Sequence, residues 1–249
     1  MTTRVERVKL RQILPLRAVF LQEMNAQVRY DACHARGWSD SYLLWVDGAP
    51  VGYGSIKGEE IADRDTVFEF FVLPSFRDRS SHLFRELLSA SGAGRIECQS
   101  NDASLSAQLF EHARDIGSEV VLFADHAVTA HAIADASVRR RRDDDVPFPH
   151  GSEPVGDFVL EVGGDVVATG GFLLHYNAPF ADLYMETRED RRRQGFASLL
   201  LQEVKRECYL AGRVPAARCN LRNVASRGAL RRAGMRECGF MLRGVVAVR

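Results

Sequence analysis

Neither sign of charge is in excess in this sequence: Lys and Arg total 33, Asp and Glu total 33, and the formal net charge is zero. Proteins that hold nucleic acid or an anionic membrane draw their affinity from surplus Lys and Arg, so no nucleic acid and no membrane partner is expected. No apolar run approaches the roughly 18 residues that a membrane-spanning helix needs. Met1-Thr2-Thr3-Arg4-Val5-Glu6 opens no signal peptide, and a cytoplasmic location is expected. Cysteine is sparse. Cys33, Cys98, Cys208, Cys219 and Cys238 are odd in number, scattered and free of C-x-x-C spacing, which reads as reduced thiols rather than disulfides or zinc. The histidines (His34, His82, His112, His126, His131, His150 and His175) show no metal-ligand spacing, so no metal is expected.

The informative stretch follows residue 180. A strand-like run, Asp182-Leu183-Tyr184-Met185-Glu186-Thr187, leads into the loop Arg192-Arg193-Gln194-Gly195-Phe196-Ala197-Ser198. Beyond the loop, Phe196, Leu199, Leu200, Val204 and Cys208 recur at steps of three and four, and Gly212 stands where a helix would stop. A strand therefore runs through a basic, glycine-containing loop into a helix over Phe196–Leu210. The free N–H groups of such a helix carry about half a positive charge and form an anion site. Gly195 and Ala197 are small enough to let a pyrophosphate approach the backbone.

The spacing Arg192-x-x-Gly195-x-Ala197 resembles the pyrophosphate-binding signature of the GNAT N-acetyltransferases. A second motif follows in order. Ala216–Asn220 reads as a short strand, and Asn223-Val224-Ala225-Ser226 then opens a helix that ends at Gly234-Met235. This is similar to the family's Asn-x-x-Ser/Ala, helix, Gly-Phe sequence, with Met235 in the Phe place. The resemblance implies an α/β (α+β) fold with a mixed, mostly antiparallel twisted sheet flanked by helices. It also implies acetyl-CoA as co-substrate.

The first half repeats the second. The strand-turn-strand Val46–Gly54 recurs at Val162–Gly170, Val72 answers Thr187, and Asn101-Asp102-Ala103-Ser104 answers Asn223–Ser226, each about 120 residues further on. Two tandem GNAT-like domains are expected: residues 1–125, a connection over 126–153, and residues 154–249. The copies differ at the loop. Arg77-Asp78-Arg79-Ser80-Ser81-His82 puts Ser80 for the Gly, His82 for the small residue and Asp78 facing any phosphate, so the first copy reads as degenerate. The run Arg139–Arg142, followed by Asp143–Asp145, reads as a solvated part of the connection whose charges neutralise each other.

Hydrophobic patterning and turn residues predict the remaining elements. In the first half these are strands at Val5–Arg11, Val67–Leu73, Arg95–Gln99 and Glu119–Phe123, with helices at Leu16–Ala35, Ser81–Ser89 and Ala103–Ala113. In the second half they are strands at Asp157–Val162, Val166–Leu174, Ala181–Thr187, Ala216–Asn220 and Cys238–Val248, with a further helix at Ala225–Ala233.

Acetyl transfer to an amine requires holding the thioester, polarising its carbonyl and taking a proton from the attacking ammonium. By the resemblance, a backbone N–H near Tyr184 to Glu186 polarises the carbonyl, and the pantetheine arm pairs near Met185 and Thr187. The same resemblance puts the pyrophosphate on the loop Arg192, Arg193, Gln194, Gly195, Phe196, Ala197 and Ser198, with Asn223 and Ser226 near the arm. Glu186 is the first candidate for general base, then Asp182, then Tyr184. Strand alternation puts all three on one face and Met185 with Leu183 on the other. The family's leaving-group acid, a Tyr, falls at Leu230, which cannot donate; water, Tyr184 or a group near Cys219 must replace it, or no acid acts. The acceptor is a small-molecule or peptide amine that the sequence does not specify. A non-catalytic acyl-CoA-binding regulator is the alternative, and a homodimer stays open.

Overall fold

The structure, a computed structural model, describes residues 2–24, 26–145, 147–151, 154–174 and 178–247. His175, the Val248 end of the expected last strand, and residues 146, 152 and 153 of the expected connection lie outside them. The elements are β1 (Thr3–Val8), α1 (Leu10–Glu23), α2 (Asp31–Ala35), β2 (Ser39–Val46), β3 (Ala49–Lys57), β4 (Thr66–Val72), α3 (Ser80–Ser91), β5 (Arg95–Gln99), α4 (Ala103–His112) and β6 (Ala113–Asp125). They continue with β7 (Ala136–Arg140), β8 (Phe158–Val162), β9 (Asp165–Leu173), β10 (Phe180–Thr187), α5 (Phe196–Leu210), β11 (Val214–Asn220), α6 (Val224–Arg232) and β12 (Met235–Val246). No helix among the described residues is long and apolar enough to cross a membrane.

Two units share these elements. One is Met1–Glu119 with Gly239–Arg249, the other Val120–Cys238. The boundary thus differs from the expected one. Met241 to Val245 of β12 pair antiparallel with Gln99 to Arg95 of β5, so residues after 239 complete the first unit. Likewise Val120 to Ala124 of β6 pair with Asn220 to Ala216 of β11 and complete the second. The physical reason is edge pairing. A strand left with one bare edge exposes N–H and C=O groups, and whichever segment satisfies them belongs to that sheet.

In the first unit the strands lie in the order β1-β2-β3-β4-β5-β12. Alternation along them sends Leu44, Phe70 and Val72 to one face, under Leu83, Phe84, Leu87, Leu105 and Leu109 of α3 and α4. Leu43, Tyr53 and Phe71 take the other face, under Ile13 and Phe20 of α1. The expected helix Leu16–Ala35 is in fact two. Between them Gln99 on β5 holds both backbone polar groups of Val28, at 3.0 and 2.6 Å, and Tyr30 takes φ +53. A buried tertiary contact there outbids helix continuation. Glu69, 1% exposed, anchors the same face: it accepts from Arg17 at 2.9 Å, and lies 3.0 Å from both His34 Nε2 and the Tyr53 hydroxyl.

In the second unit the order is β6-β11-β10-β9-β8-β7. Helices α5 and α6 cover one face, with Leu199, Leu200, Val204, Cys208 and Leu230 packed on Leu183, Ala168, Phe158 and Leu160. No α-helix precedes α5 in this unit among the described residues. Residues 126–135 run irregularly instead, docked by two buried side chains of α5. Lys205 donates to the Ala127 and Ala233 carbonyls and pairs with Asp125, while Gln202 accepts from the His131 N–H at 2.6 Å. The expected connection therefore folds into the unit. Its Arg139 lies on β7 and grips Asp145 at 2.7 and 2.8 Å and Glu161 at 2.7 Å, which neutralises the head of the basic run.

The two sheets share local detail. Each hairpin turns through two residues of positive φ, Asp47-Gly48 and Gly163-Gly164, the backbone that right-twisted antiparallel strands require. Each unit also has one parallel pair that parts after a few residues.

Candidate functional site

Strands β10 and β11 run parallel and pair only at Phe180, Ala181 and Asp182, opposite Val214, Pro215 and Ala216. Beyond Asp182 they diverge while β10 runs on to Thr187, so its backbone from Leu183 onward is open on that side. On its other side β10 stays paired with β9, Tyr184 opposite Gly171 and Glu186 opposite Thr169. In the first unit β4 and β5 part in the same way, after Thr66 and Val67.

The loop after β10 closes the open end. A short 3-10 turn over Glu189–Arg191 gives way to Arg193 at φ +65 and Gly195 at φ +88, and α5 begins at Phe196. The N–H groups of Ser198 and Leu199 bond the Gly195 carbonyl at 3.0 and 3.1 Å. Those of Arg193 through Ala197 find no acceptor among the described residues, and they line the N-terminus of α5. Successive N–H groups in left-handed turns at a helix start form an anion-binding concavity. Arg188 and Arg191 are tied to Asp190 and Asp165, and Arg192 reaches Glu189 at 3.7 Å. Arg193, exposed, has no ion-pair partner among the described residues.

The first unit's loop is different. It winds as a 3-10 helix over Pro74–Arg79 straight into α3, with Phe76 N–H on the Leu73 carbonyl and Ser80 N–H on that of Arg77. No residue of this loop takes positive φ, and the His82 ring lies 3.1 Å from Thr3 Oγ1.

Several expected contacts have other work. Phe196 is buried in the core, and Ser198, also buried, has its Oγ held by Arg232 Nε at 3.2 Å and its N–H used by Gly195. Phe196 turns inward with Leu199 and Leu200 on the apolar face of α5, whereas Ser198, two residues on, lies on another side of the helix, against Arg232 of α6. Asn223 is the N-cap of α6, its Oδ1 accepting from the Ser226 N–H at 3.0 Å, which leaves only its amide N–H groups for a ligand. The matching cap in the first unit is Asp102, with Leu105 N–H at 3.0 Å, one residue on from the expected Asn101. Met185 faces the core under α5, and the Thr187 hydroxyl points to the Met185 sulfur at 3.9 Å.

Asp182, Tyr184 and Glu186 lie on the face turned away from α5. Asp182 is 6% exposed and held by Arg218 at 3.0 Å, which ties up its charge. Burial first, then the nearby Asp157, pushes the Tyr184 phenol up, so it keeps its proton. Room for that ring comes from Gly171, where a Cβ would sit 2.6 Å from the Tyr184 hydroxyl. Glu186 is half-buried, and both of its carboxylate oxygens approach the Gly151 N–H, at 2.9 and 3.2 Å. Next to it His150 Nε2 stands 2.6 Å from Thr169 Oγ1. Sequence reasoning missed His150, Gly151, Thr169 and Arg218, since no spacing signal links them to β10. Leu230, in the place of the family's acid, is buried in the core between α5 and α6.

A splayed parallel pair, an anion-binding turn at its mouth and a capped helix beyond it form one arrangement, and residues 124–235 match the sequence model of the acetyltransferase (GNAT) family. This segment is similar to a GNAT domain. The family transfers acyl groups from acyl-CoA. No curated protein matches the sequence. The whole chain has the fold of an acetyltransferase from the GNAT family of Colwellia psychrerythraea, at 14% identity and TM-score 0.76, covering 98% of this chain and 100% of that one. It is similar along 100% of both chains to a tandem GNAT protein from the clavulanic acid biosynthesis pathway, at 12% identity and TM-score 0.62. A GCN5-related N-acetyltransferase from Sphaerobacter thermophilus follows at 16% identity and TM-score 0.52, over 84% of this chain and 81% of that one. At these identities the likeness is one of fold, and the GNAT match falls on the unit whose loop leaves its N–H groups free.

Proposed function

We propose that this chain is an acetyl-CoA-dependent N-acetyltransferase whose second unit moves an acetyl group to a primary amine of a small molecule or peptide. The observation that carries the reading is the contrast between the loops: the N–H groups from Arg193 to Ala197 find no acceptor among the described residues, whereas the first loop winds as a 3-10 helix in which the Phe76 and Ser80 N–H groups are taken by the Leu73 and Arg77 carbonyls. The 193–197 amides with Arg192 and Arg193 hold the pyrophosphate. The open edge of β10 near Met185 and Thr187 aligns the pantetheine arm, and an N–H between Tyr184 and Glu186 polarises the carbonyl. Glu186 takes the proton as the new C–N bond forms, and Tyr184 donates to the departing thiolate as the C–S bond breaks. A cytoplasmic setting is supported by the five cysteines, none of which forms a disulfide.

Calorimetric titration with acetyl-CoA is expected to give one site per chain; two equivalent sites would contradict the assignment to the second unit. Thiol release with a panel of amines then separates an enzyme from an acyl-CoA-binding regulator, which would release none above hydrolysis. Gly195→Glu adds a side chain where φ is +88 and where even a Cβ meets Ile133 at 3.4 Å, and it adds negative charge beside the phosphates. Affinity for CoA should fall roughly tenfold or more, about 1.4 kcal/mol. An unchanged affinity would remove this loop from the cofactor site.

A further inference from the structure

The segment Phe148–Gly151 falls in the expected connection, and it is bonded to β9 and β10 of the second unit. Two consecutive residues meet two residues that face each other across β9 and β10. His150 Nε2 lies 2.6 Å from Thr169 Oγ1, and the Gly151 N–H approaches Glu186 Oε1 and Oε2 at 2.9 and 3.2 Å. Directly opposed residues of an antiparallel pair have their Cβ atoms about 5 Å apart, so the segment docks at two points on one small patch. Thr169 is 1% exposed, which makes it a fixed anchor rather than a mobile surface group. Phe148 stacks on the imidazole at 4.4 Å with an interplanar angle of 16°, which restricts how the ring turns.

Without these contacts Glu186 would be a strand carboxylate free to rotate among rotamers. With them, its head group is aimed by a backbone donor whose own place is set by the neighbouring histidine.

We propose that His150 is a positioning residue of the acceptor site: its bond to Thr169 fixes the Gly151 N–H against Glu186 and so sets the orientation of the proton-accepting carboxylate. This rests on the reading of the second unit as an acetyltransferase. The imidazole itself takes no proton from the substrate in this scheme; it serves as a peg.

The test uses the full chain with His150→Ala and His150→Gln, because a glutamine amide reaches nearly to the Nε2 position and can keep the bond to Thr169. Three quantities are read: CoA affinity by calorimetry, kcat and KM for amine-dependent thiol release, and hydrogen exchange at the Gly151 amide. His150→Ala should lower kcat by roughly 10- to 100-fold, the scale of loss for a misplaced catalytic group. CoA affinity should hold, and Gly151 exchange should accelerate. His150→Gln should restore both kcat and slow exchange to near the wild-type values. Wild-type kinetics in His150→Ala would overturn the proposal, and so would a His150→Gln variant as slow as the alanine one, since the ring would then carry a proton rather than a position. Should the wild type release no thiol with any amine, the functional reading fails first, and the exchange rates alone decide the clamp: fast Gly151 exchange in wild type overturns it.

Discussion

An amine-dependent rate that falls by roughly 10² to 10⁴-fold, with CoA affinity unchanged, is the expected result of Glu186→Gln. The substitution keeps the shape of the side chain, and the amide oxygen can still accept from Gly151, so the local fold survives. Only the capacity to take a proton is lost. Asp182 offers no substitute, because Arg218 holds it at 3.0 Å, and the raised phenol of Tyr184 is the wrong kind of group. Steady-state kinetics with the best amine of the panel, alongside calorimetry, checks this. A parallel loss of CoA binding would give Glu186 a structural part instead, and an unaffected rate would leave proton removal to water.

The second large effect lies in the first unit. Glu69→Gln removes the counter-charge from a buried guanidinium, and unfolding by urea should show a loss of about 3–5 kcal/mol, the usual result of breaking one side of a buried ion pair. Arg17 would keep Asp31 at 2.9 Å and the Arg29 carbonyl at 2.5 Å, while losing its two-pronged bond to Glu69. Burial alone would push the Glu69 carboxyl up, but the hydrogen bond from His34 and the charge of Arg17 outweigh it and hold the group below its ordinary range. A carboxylate with a depressed folded-state pKa contributes stability above its unfolded value and forfeits it as pH falls through the folded one. Wild-type stability should therefore drop in acid below about pH 4.3, and that part of the drop should be missing in Glu69→Gln. A variant as stable as wild type at neutral pH would mean that water or a rearranged side chain satisfies Arg17.

The sequence already contained the strands and helices that depend on near neighbours. The repeat Phe196, Leu199, Leu200, Val204, Cys208 marks α5 end to end, and Gly195 announces its start, because both signals are written within one or two turns. What it could not convey depends on distant partners. Gln99 breaks the α1–α2 stretch from about 70 residues away, and Asp182 is neutralised by Arg218 on the next strand. His150 and Gly151 sit in a stretch whose prolines and charges look like any connector. The Asn223 motif was readable but ambiguous: Asn-x-x-Ser is also what a helix N-cap looks like, and the side chain is in fact a cap. The one-residue slip between Asn101 and Asp102 has the same origin, as either residue can cap and only packing chooses.

The pairing of β12 with β5 has a temporal side. A chain emerges from the ribosome from its N-terminus, yet β5 waits for residues 241–245, made about 140 positions later, to cover its open edge. Every residue of the second unit is made before residues 241–245 are. The half synthesised first is thus the half completed last, and its exposed β5 edge is where a stalled or truncated nascent chain would recruit a stray strand from a neighbour.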